Sequence, residues 1–429
     1  MNTRELHPPS DAFAASVSLP GDKSLSHRAL LFSAMAEGTS EVSGLGTGKD
    51  IRTTASALAD LGVEFAVSNG SISVTSRGVK NLEAPTEPLD CGNSGTTMRL
   101  MIGMLAAQPF PVTLIGDESL SQRPMDRLIE PLGVLGASLT TSADGTPPVT
   151  VLPVSGLSGG EIVLDTASAQ LRTAFELAAV QADGESVVTS PPGYRDHSER
   201  WLETVGLGER KDDTFVVYPG EVPATAYALP GDASSAAFLW AAAAIKEGSE
   251  VTTPNITLNA GRIGFLEVLE RMGAEVDASV DRAILGDPVG TVRVRGCGLR
   301  AVSIEGALTI ASLDELPLLA IVASYAEGIT VVGDATELRV KESDRIKSTC
   351  EMVRALGGGA EATDDGFEIV GLGWLDGGEV SSYGDHRIAM AAAVAATGAR
   401  GPVRVLGSEA ASVSWPDFYE TLEAVWSSR

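Results

Sequence analysis

The sequence has few of the residues that mark a disulfide framework, a metal centre or a membrane protein. It contains 3 cysteines (Cys91, Cys297 and Cys350), an odd number without a CxxC pair, and 4 histidines, none spaced as a ligand pair. These features argue against a disulfide scaffold or a zinc site, and they predict a reducing compartment and no bound metal. The longest apolar run, around residues 236–245, is far shorter than the roughly 20 residues that span a bilayer.

Positive charge is also scarce. Lysine and arginine number 31 against 57 aspartates and glutamates, so the formal net charge is −26 at pH 7. Phosphate backbones and anionic lipids would be repelled, which argues against nucleic-acid and membrane partners. The first residues, MNTRELHPPSDAF, show no apolar stretch typical of a secretory signal, so a soluble, cytoplasmic protein is expected. An anionic ligand would require basic residues to be concentrated locally.

The sequence is rich in one repeated pattern. A short strand, a small polar turn, an Ala/Leu-rich helix, a glycine and a Val/Thr strand recur in six segments, which begin at Val17, Leu89, Val163, Tyr227, Ile304 and Val380. An amphipathic helix and a two-stranded stretch separate the segments. Each unit is therefore predicted to be β-turn-α-β-α-ββ, with the small-residue helix in the interior and the amphipathic helix nearer the surface.

Six units of about 70 residues divide naturally into two domains of three, because domains usually contain 50–250 residues. A single closed ring of six units is the competing arrangement, and the repeat does not distinguish between them. The final helix, in FYETLEAVW, has no strands after it. The N-terminal strand is the candidate for its missing partner.

The turn that begins each first helix is the candidate for ligand binding. Free N–H groups and the helix dipole favour an anion at such a site. GDKSLSHR, with a net charge of +1, places Ser24 and Arg28 on one helix face, and Gly92–Arg99 forms a glycine-rich turn. RVKESDRIK, with a net charge of +2, is predicted to place Lys341 and Arg345 on one face. A lone cation at a helix start is usually a surface residue, but recurrence at the same place in the repeat favours a function.

Other motifs indicate no site. Gly44–Asp50 resembles a P-loop but lacks the Gly-x4-Gly-Lys-Ser/Thr spacing, and no Gly-x-Gly-x-x-Gly follows a strand. Cys91 has no histidine or basic residue beside it in the sequence, which predicts an unactivated, buried thiol.

Seven segments together resemble the EPSP synthases, a branch of the enolpyruvyl transferase family. LDCGNSGTTMRL and RVKESDRIK are similar to the two signature segments, and LPGDKSLSHR, SQRPMDR, ASAQ, LDELP and GDHRIAM occur in the family's order. The resemblance covers essentially the whole chain. It implies a two-domain inside-out α/β barrel of six βαβαββ units, with residues 22–229 in one domain, residues 1–21 and 230–429 in the other, and the active site in the cleft between them.

The resemblance also implies the reaction. The enolpyruvyl group of phosphoenolpyruvate would pass to the 5-hydroxyl of shikimate 3-phosphate, with release of phosphate, in the pathway that leads to chorismate and the aromatic amino acids. Members of this family use no cofactor and no metal, and a monomer is expected.

Site residues follow from the matching motifs. The shikimate 3-phosphate ligands correspond to Lys23, Ser24, Arg28, Ser168, Gln170, Arg195, Asp314 and Lys341. The phosphoenolpyruvate ligands correspond to Lys23, Gly95, Arg123, Gln170, Arg345, His386 and Arg387. Asp314 matches the family's proton acceptor and is also a candidate helix N-cap, while Lys23 and Glu342 are candidates for proton transfer at C3. Val413 stands where some members have a phosphoenolpyruvate-binding lysine.

Two alternatives remain open at this point. The sister family that acts on UDP-N-acetylglucosamine carries a cysteine just before its Arg-Pro, whereas this chain has GDESLSQRPMD there. A non-catalytic anion-binding relative is the other alternative. The presence together of Lys23, Asp314, Glu342, Arg345 and Arg387 argues against it, because a scaffold needs no base among its cations.

Overall fold

The computed structural model describes residues 2–68 and 70–428. The chain forms two compact units. The N-unit consists of Gly21–Leu229 and Ala283–Asp287, and the C-unit of Met1–Pro20, Pro230–Arg282 and Pro288–Arg429. No helix in the described part of the chain is both long and apolar enough to cross a membrane.

Short strands dominate the fold, and 23 are described. In chain order they are β1 (Thr3–Leu6), β2 (Ala14–Ser16), β3 (Glu37–Ser43), β4 (Glu64–Ser68), β5 (Ser71–Arg77), β6 (Leu89–Asp90), β7 (Val112–Ile115), β8 (Ser138–Thr140), β9 (Val149–Leu152), β10 (Glu161–Val163), β11 (Ser186–Thr189), β12 (Gly208–Lys211), β13 (Thr214–Val217), β14 (Ala226–Ala228), β15 (Glu250–Thr257), β16 (Glu275–Ile284), β17 (Asp287–Arg295), β18 (Ser303–Ile304), β19 (Glu327–Val332), β20 (Gly359–Ala362), β21 (Phe367–Leu372), β22 (Gly378–Ser381) and β23 (Val403–Leu406).

Thirteen α-helices alternate with these strands in the described residues. They are α1 (Lys23–Met35), α2 (Lys49–Ala59), α3 (Gly95–Leu105), α4 (Ile129–Gly133), α5 (Ala169–Ala179), α6 (His197–Thr204), α7 (Ala233–Ile245), α8 (Gly264–Met272), α9 (Ala307–Ala311), α10 (Leu316–Ser324), α11 (Arg345–Ala355), α12 (His386–Ala395) and α13 (Phe418–Trp426). Short 3-10 turns lie at Val79–Asn81, Leu120–Gln122, Asp126–Leu128, Leu313–Glu315, Thr336–Val340 and Ser408–Val413.

Six sheets repeat one pattern in the described residues. The N-unit contains the orders β14-β3-β5-β4, β6-β7-β9-β8 and β10-β11-β13-β12, and the other three orders are β16-β17-β15-β2, β18-β19-β21-β20 and β1-β23-β22. Each sheet has one parallel pair, such as β6 with β7, followed by antiparallel strands such as β9. In four of these sheets helical segments connect the two parallel strands, as α3 connects β6 and β7, because a parallel connection must cross from one end of the sheet to the other. The parallel pairs of β14 with β3 and of β2 with β15 instead join strands that are far apart in the sequence.

The N-terminal strand completes the last sheet. β1 pairs antiparallel with β23, with Thr3 opposite Leu406. This pairing confirms the prediction that the N-terminal strand supplies the missing partner of the final repeat.

Each unit has its own hydrophobic core, and the small-residue helices lie inside it. All residues of α7 from Ala233 to Ala244 are buried, as are those of α12 from His386 to Ala395. By contrast, α8 buries one face and exposes Glu267 and Arg271 on the other. The predicted division into interior and amphipathic helices is therefore confirmed, because alanine and glycine permit the closest helix packing and long polar side chains require water.

Two interior helices of the N-unit touch through their backbones. α3 approaches α5 at Gly103, where a Cβ atom would overlap the backbone of Ala174. Glycine is required there by the close approach and not by its dihedral angles. The contact fixes the distance between α3 and α5 at this point.

Candidate active site

Several interior helices begin with a side chain that caps the first turn. The caps in the N-unit are Asp22 for α1, Ser94 for α3 and Ser168 for α5, and each accepts a hydrogen bond from a backbone N–H group at 2.9–3.4 Å. Asp385 caps α12 in the same way, at 2.8 Å. Capping fixes where each helix begins, and the positive end of the dipole makes that end favourable for an anion.

Lys23 is the first residue of α1, and its ammonium group pairs with the Asp50 carboxylate. The Asp50 side chain is only 8% exposed, and that of Lys23 is 27% exposed. The glycine-rich stretch Gly44–Asp50, which resembles a P-loop without being one, thus contributes a carboxylate that anchors the lysine at the helix start.

Arg28 lies one turn further along α1 and is held by neutral groups. Its Nε atom donates to Ser198 Oγ at 2.7 Å, Nη2 donates to Thr173 Oγ1 at 2.7 Å, and Nη1 donates to the Ser24 carbonyl oxygen at 3.1 Å. Burial lowers the pKa of Arg28, and the nearby charges of Glu199 and Glu176 oppose that shift. The contact with Ser24 confirms that the two residues share a helix face.

Arg172 lies close to Arg28 in the N-unit core and is paired with acidic groups. Its Nε atom donates to Glu199 Oε1 at 2.6 Å, its Nη1 atom donates to Ser190 Oγ at 3.0 Å, and its guanidinium group stacks 4.2 Å from the Tyr194 ring centroid. Glu176 is fully buried nearby, and its burial, together with the charge of Glu199, raises its pKa well above the ordinary value. The Glu176 carboxyl therefore keeps its proton to a higher pH than a free glutamate does.

Two guanidinium groups lie against Gly95, the first residue of α3. A Cβ atom at this position would lie 3.0 Å from Arg99 Nη1 and 3.4 Å from Arg123 Nη1. Arg99 donates to Gln170 Oε1 at 2.7 Å, and Arg123 donates to Asn93 Oδ1 at 3.0 Å. The absence of a side chain at Gly95 leaves room for both cations at the helix start.

The remaining predicted residues of the N-unit lie at the starts of α1 and α5 and in the segment before α6. Gln170 donates from Nε2 to Thr96 Oγ1 at 2.9 Å, which joins the first turns of α5 and α3. Ser168 caps α5, and Arg195 lies partly exposed in the segment before α6. The predicted residues of this unit are Lys23, Ser24, Arg28, Gly95, Arg123, Ser168, Gln170 and Arg195.

A second cluster surrounds Arg345 in the C-unit. This arginine is 2% exposed, and it donates to Asp385 Oδ2 at 2.8 Å, to Glu342 Oε2 at 2.6 Å and to Asp314 Oδ1 at 3.3 Å. Burial lowers its pKa, but the carboxylates of Asp385 and Glu342 more than offset that effect, so the pKa of Arg345 is raised. The arginine holds three carboxylates in fixed positions.

Lys341 lies beside the same cluster, with its Nζ atom 3.9 Å from Asp314 Oδ1. Removal from water lowers the pKa of Lys341, and the Asp314 carboxylate opposes that shift. The prediction that Lys341 and Arg345 share a helix face is wrong, because Lys341 precedes α11 and Arg345 is its first residue. Asp314 brings them together instead.

Asp314 lies in the 3-10 turn Leu313–Glu315, and its side chain is 20% exposed. The predicted alternative role of Asp314 as a helix cap is wrong, because the N-cap of α10 is Glu315. The carboxylate instead faces the two cations Lys341 and Arg345.

α12 begins with the two last predicted residues. Arg387 donates from Nη1 to Glu315 Oε1 at 3.0 Å, and His386 is 4% exposed with its Nδ1 atom 4.0 Å from Asp385 Oδ1. The predicted residues of the C-unit are Asp314, Lys341, Glu342, Arg345, His386 and Arg387. Val413, in the 3-10 turn Ser408–Val413, presents an aliphatic side chain.

Sequence reasoning missed two carboxylates that pair with the cations and one further cation. Asp50 pairs with Lys23, Asp385 pairs with Arg345, and Arg99 lies against Gly95. Asp385 and Arg99 fall inside the motifs GDHRIAM and LDCGNSGTTMRL, so a search for charged residues within those motifs would have found them. Across residues 2–68 and 70–428, no group of three or more histidine, cysteine, aspartate or glutamate side chains is arranged to hold a metal ion.

The comparisons with known proteins agree with one another. The family model described as EPSP synthase (3-phosphoshikimate 1-carboxyvinyltransferase) matches residues 8–422. A protein of Herpetosiphon aurantiacus named 3-phosphoshikimate 1-carboxyvinyltransferase is 45% identical over 409 residues, which cover 94% of this chain and 95% of that protein. A protein of the same name from Syntrophomonas wolfei is 43% identical over 414 residues, which cover 96% of this chain and 97% of the relative.

Solved structures agree with the sequence relatives. A structure titled as an EPSP synthase from Acinetobacter baumannii superimposes with a TM-score of 0.87 and 38% sequence identity, and the match covers 99% of this chain and 98% of that chain. A second EPSP synthase structure from the same organism gives a TM-score of 0.86 at 36% identity. Both kinds of comparison extend over nearly the whole chain.

Proposed function

This chain belongs to the EPSP synthase family, and from that premise we propose that it transfers the enolpyruvyl group of phosphoenolpyruvate to the 5-hydroxyl of shikimate 3-phosphate. The products are 5-enolpyruvylshikimate 3-phosphate and inorganic phosphate. The reaction is a transferase step in the shikimate pathway, which supplies chorismate for aromatic amino acids. The expected localisation is the cytoplasm and the expected state is a monomer.

The single observation that carries this proposal is the position of Asp314. Its carboxylate lies 3.3 Å from Arg345 Nη1 and 3.9 Å from Lys341 Nζ, and its side chain is 20% exposed. A carboxylate that is both accessible and fixed by cations can accept a hydroxyl proton in a bound complex, as a general base requires. An anion-binding scaffold would gain nothing from a carboxylate at this place.

The chemistry proceeds by addition and elimination. The 5-oxygen of shikimate 3-phosphate forms a bond to C2 of phosphoenolpyruvate while C3 gains a proton, which gives a tetrahedral ketal. The ketal methyl then loses a proton, the bond from C2 to the phosphate oxygen breaks, and phosphate leaves. We assign the removal of the hydroxyl proton to Asp314. Lys23 and Glu342, which are both fixed by ion pairs, are the candidates for proton transfer at C3.

The substrates are multiply anionic, and the cations supply their binding. Shikimate 3-phosphate would contact Lys23, Ser24, Arg28, Ser168, Gln170, Arg195, Asp314 and Lys341. Phosphoenolpyruvate would contact Lys23, Gly95, Arg123, Gln170, Arg345, His386 and Arg387. Arginine suits these positions because its fork of donors matches carboxylate and phosphate oxygens.

These assignments require both clusters to act on the same pair of substrates. We therefore propose that residues 22–229 form one domain, that residues 1–21 and 230–429 form the other, and that the active site lies in the cleft between them. The finer architecture we propose is an inside-out α/β barrel of six βαβαββ units, three in each domain. The repeated sheet order of the two units supports it.

Phosphate release from phosphoenolpyruvate tests the function. Purified protein should release phosphate with shikimate 3-phosphate as acceptor, should not release it with UDP-N-acetylglucosamine, and should be unaffected by EDTA. Release only with the sugar nucleotide would assign the chain to the sister reaction. Release with neither acceptor would leave anion binding without catalysis.

A matched pair of lysines tests the site within one motif. Lys341→Met should lower kcat/KM for shikimate 3-phosphate by roughly 100-fold, because a charge-assisted contact to an anion contributes about 1.5–3 kcal/mol. Lys347→Met is the control, since Lys347 is 71% exposed and pairs only loosely with Glu351 at 4.0 Å. It should change kcat/KM less than twofold, and equal losses in both variants would contradict the assignment.

A further inference from the structure

The tip of the β16–β17 hairpin belongs to the N-unit. Residues Ala283–Asp287 group with Gly21–Leu229, although the hairpin's strands continue into residues of the C-unit. Leu285 and Gly286 form the turn, with φ angles of 54° and 80°. A bulky residue such as leucine is rarely found at positive φ, so surrounding contacts must hold it there. Leu285 packs, partly buried, against the core of the N-unit.

The tip contacts the beginning of α6. Asp287 Oδ2 lies 2.8 Å from His197 Nδ1, and both side chains are fully buried. The Gly286 carbonyl oxygen accepts a hydrogen bond from Arg200 Nη1 at 3.2 Å. A Cβ atom at Gly286 would lie 2.8 Å from the Arg200 carbonyl oxygen, so no larger residue fits. The tip therefore packs in a specific position against α6.

The next two residues of α6 hold the buried arginines of the N-unit. Ser198 accepts from Arg28 Nε at 2.7 Å, and Glu199 accepts from Arg172 Nε at 2.6 Å. His197, Ser198 and Glu199 are consecutive, so a displacement of the first turn moves all three partners together. Asp287 is also one of the carboxylates whose charge raises the pKa of Arg28 against the effect of burial.

We propose that Asp287 is a positioning residue for shikimate 3-phosphate binding: through His197 it fixes the first turn of α6, and through Ser198 it fixes the guanidinium of Arg28. The inference rests on the proposed function, because Arg28 is assigned to that substrate there. Asp287 touches no substrate in this scheme. Its effect is on the orientation of a cation that does.

A positioning role predicts a particular pattern of losses. Asp287→Asn keeps the size of the side chain but removes its charge, which weakens the contact with His197. Calorimetric titration should show the Kd for shikimate 3-phosphate rising about tenfold, the usual scale for a lost charge-assisted hydrogen bond. With shikimate 3-phosphate saturating, kcat should stay within about twofold of the wild type, because Asp314 and Lys341 are untouched.

Asp281→Asn is the matched control in the same hairpin. Asp281 is exposed and accepts a hydrogen bond from Thr291 Oγ1 at 3.2 Å, away from the tip. This variant should bind shikimate 3-phosphate as tightly as the wild type. An Asp287→Asn variant whose Kd matches that of Asp281→Asn overturns the inference. Wild-type protein that neither binds nor turns over shikimate 3-phosphate overturns the proposed function instead.

A double-mutant cycle distinguishes positioning from general loosening of the fold. Ser198→Ala removes the hydroxyl through which the tip is proposed to act. If the proposal holds, Asp287→Asn raises the Kd less than threefold in the Ser198→Ala background, against about tenfold alone. Full additivity of the two effects overturns the route through Ser198, even where each single variant is weakened.

Discussion

Two buried arginines, one in each compact unit, have opposite surroundings. Arg28 is 5% exposed and donates to two hydroxyl groups and a carbonyl oxygen. Arg345 is 2% exposed and donates to the carboxylates of Asp385, Glu342 and Asp314. Burial lowers the pKa of Arg28, whereas the carboxylates raise that of Arg345.

The difference shows two uses of the same side chain. Because the hydrogen-bond partners of Arg28 are neutral, they do not balance its positive charge. That charge therefore remains available to an anionic ligand. The charge of Arg345 is largely balanced by its neighbours, so its main effect is to hold acidic groups in place. In the proposed scheme both arginines contact substrate, but only Arg345 also holds a set of carboxylates in place.

The largest effect expected from this comparison comes from replacing Arg345. Arg345→Met removes the cation that is paired with the fully buried Asp385, and it also removes one cation contact of the partly exposed Glu342 and Asp314. Breaking a buried ion pair in this way costs about 3–5 kcal/mol, so the urea midpoint should fall steeply and turnover should be lost. Chemical unfolding followed by circular dichroism measures the first effect. A loss no larger than that of Arg28→Met would break the comparison.

Replacing Arg28 should affect binding more than stability. In Arg28→Met the Thr173 and Ser198 hydroxyls can keep their own hydrogen bond of 2.7 Å, so the loss of unfolding free energy should be about 1–2 kcal/mol. Affinity for shikimate 3-phosphate should fall at least about 100-fold, because several charge-assisted contacts to the anion disappear. Calorimetry on the same preparation checks both, and unchanged affinity would remove Arg28 from the binding set.

A pH experiment tests whether His27, which precedes Arg28 in α1, stays uncharged in the folded protein. His27 is fully buried, and burial lowers its pKa from 6.5 to about 3. Above pH 6.5 the histidine is neutral in both folded and unfolded chains and contributes nothing. Below that pH only the unfolded chain takes up the proton, so stability falls, by about 2 kcal/mol at pH 5.

His27→Asn removes this titration while keeping a polar group near Thr54, which lies 2.7 Å from His27 Nδ1. Between pH 7.5 and pH 5 the variant should gain about 2 kcal/mol relative to the wild type in unfolding free energy. Parallel pH curves for the two proteins would show that His27 titrates normally.

The smallest effect is expected at Glu176. Its pKa is raised by burial and by Glu199, so the folded chain keeps the proton over a range where the unfolded chain, with a pKa near 4.5, loses it. Stability from this group is therefore complete below pH 4.5 and declines as the pH rises. Glu176→Gln should be at least as stable as the wild type at pH 7.5, and thermal melting at two pH values measures this. Marked destabilisation at pH 7.5 would indicate an ionised Glu176.

The repeat and the motifs were sufficient to predict the interior helices, the pairing of β1 with the last sheet and the residues at the helix starts. The hydrogen-bond partners of the residues at the helix starts could not be predicted, because these partners come from distant parts of the chain. Arg28 is held by Thr173 and Ser198, which lie 145 and 170 residues away. No periodicity in a single sequence encodes such a pairing.

Local spacing was misleading where the helix began later than expected. Lys341 and Arg345 are four residues apart, which suggests one helix face, but α11 begins only at Arg345 after the N-cap Asp344. The two cations meet because Asp314 lies between them. A capping aspartate directly before Arg345 was the signal for the true boundary.

The contact of α3 with α5 at Gly103 has an evolutionary consequence. Because backbone touches backbone there, side-chain substitution cannot change the distance between the two helices at that point. Adaptation of the proposed site to a bulkier acceptor would therefore require changes in loops such as the segment around Arg195. The distance between the two helices is therefore fixed, whereas the sequences of the connecting loops are free to diverge.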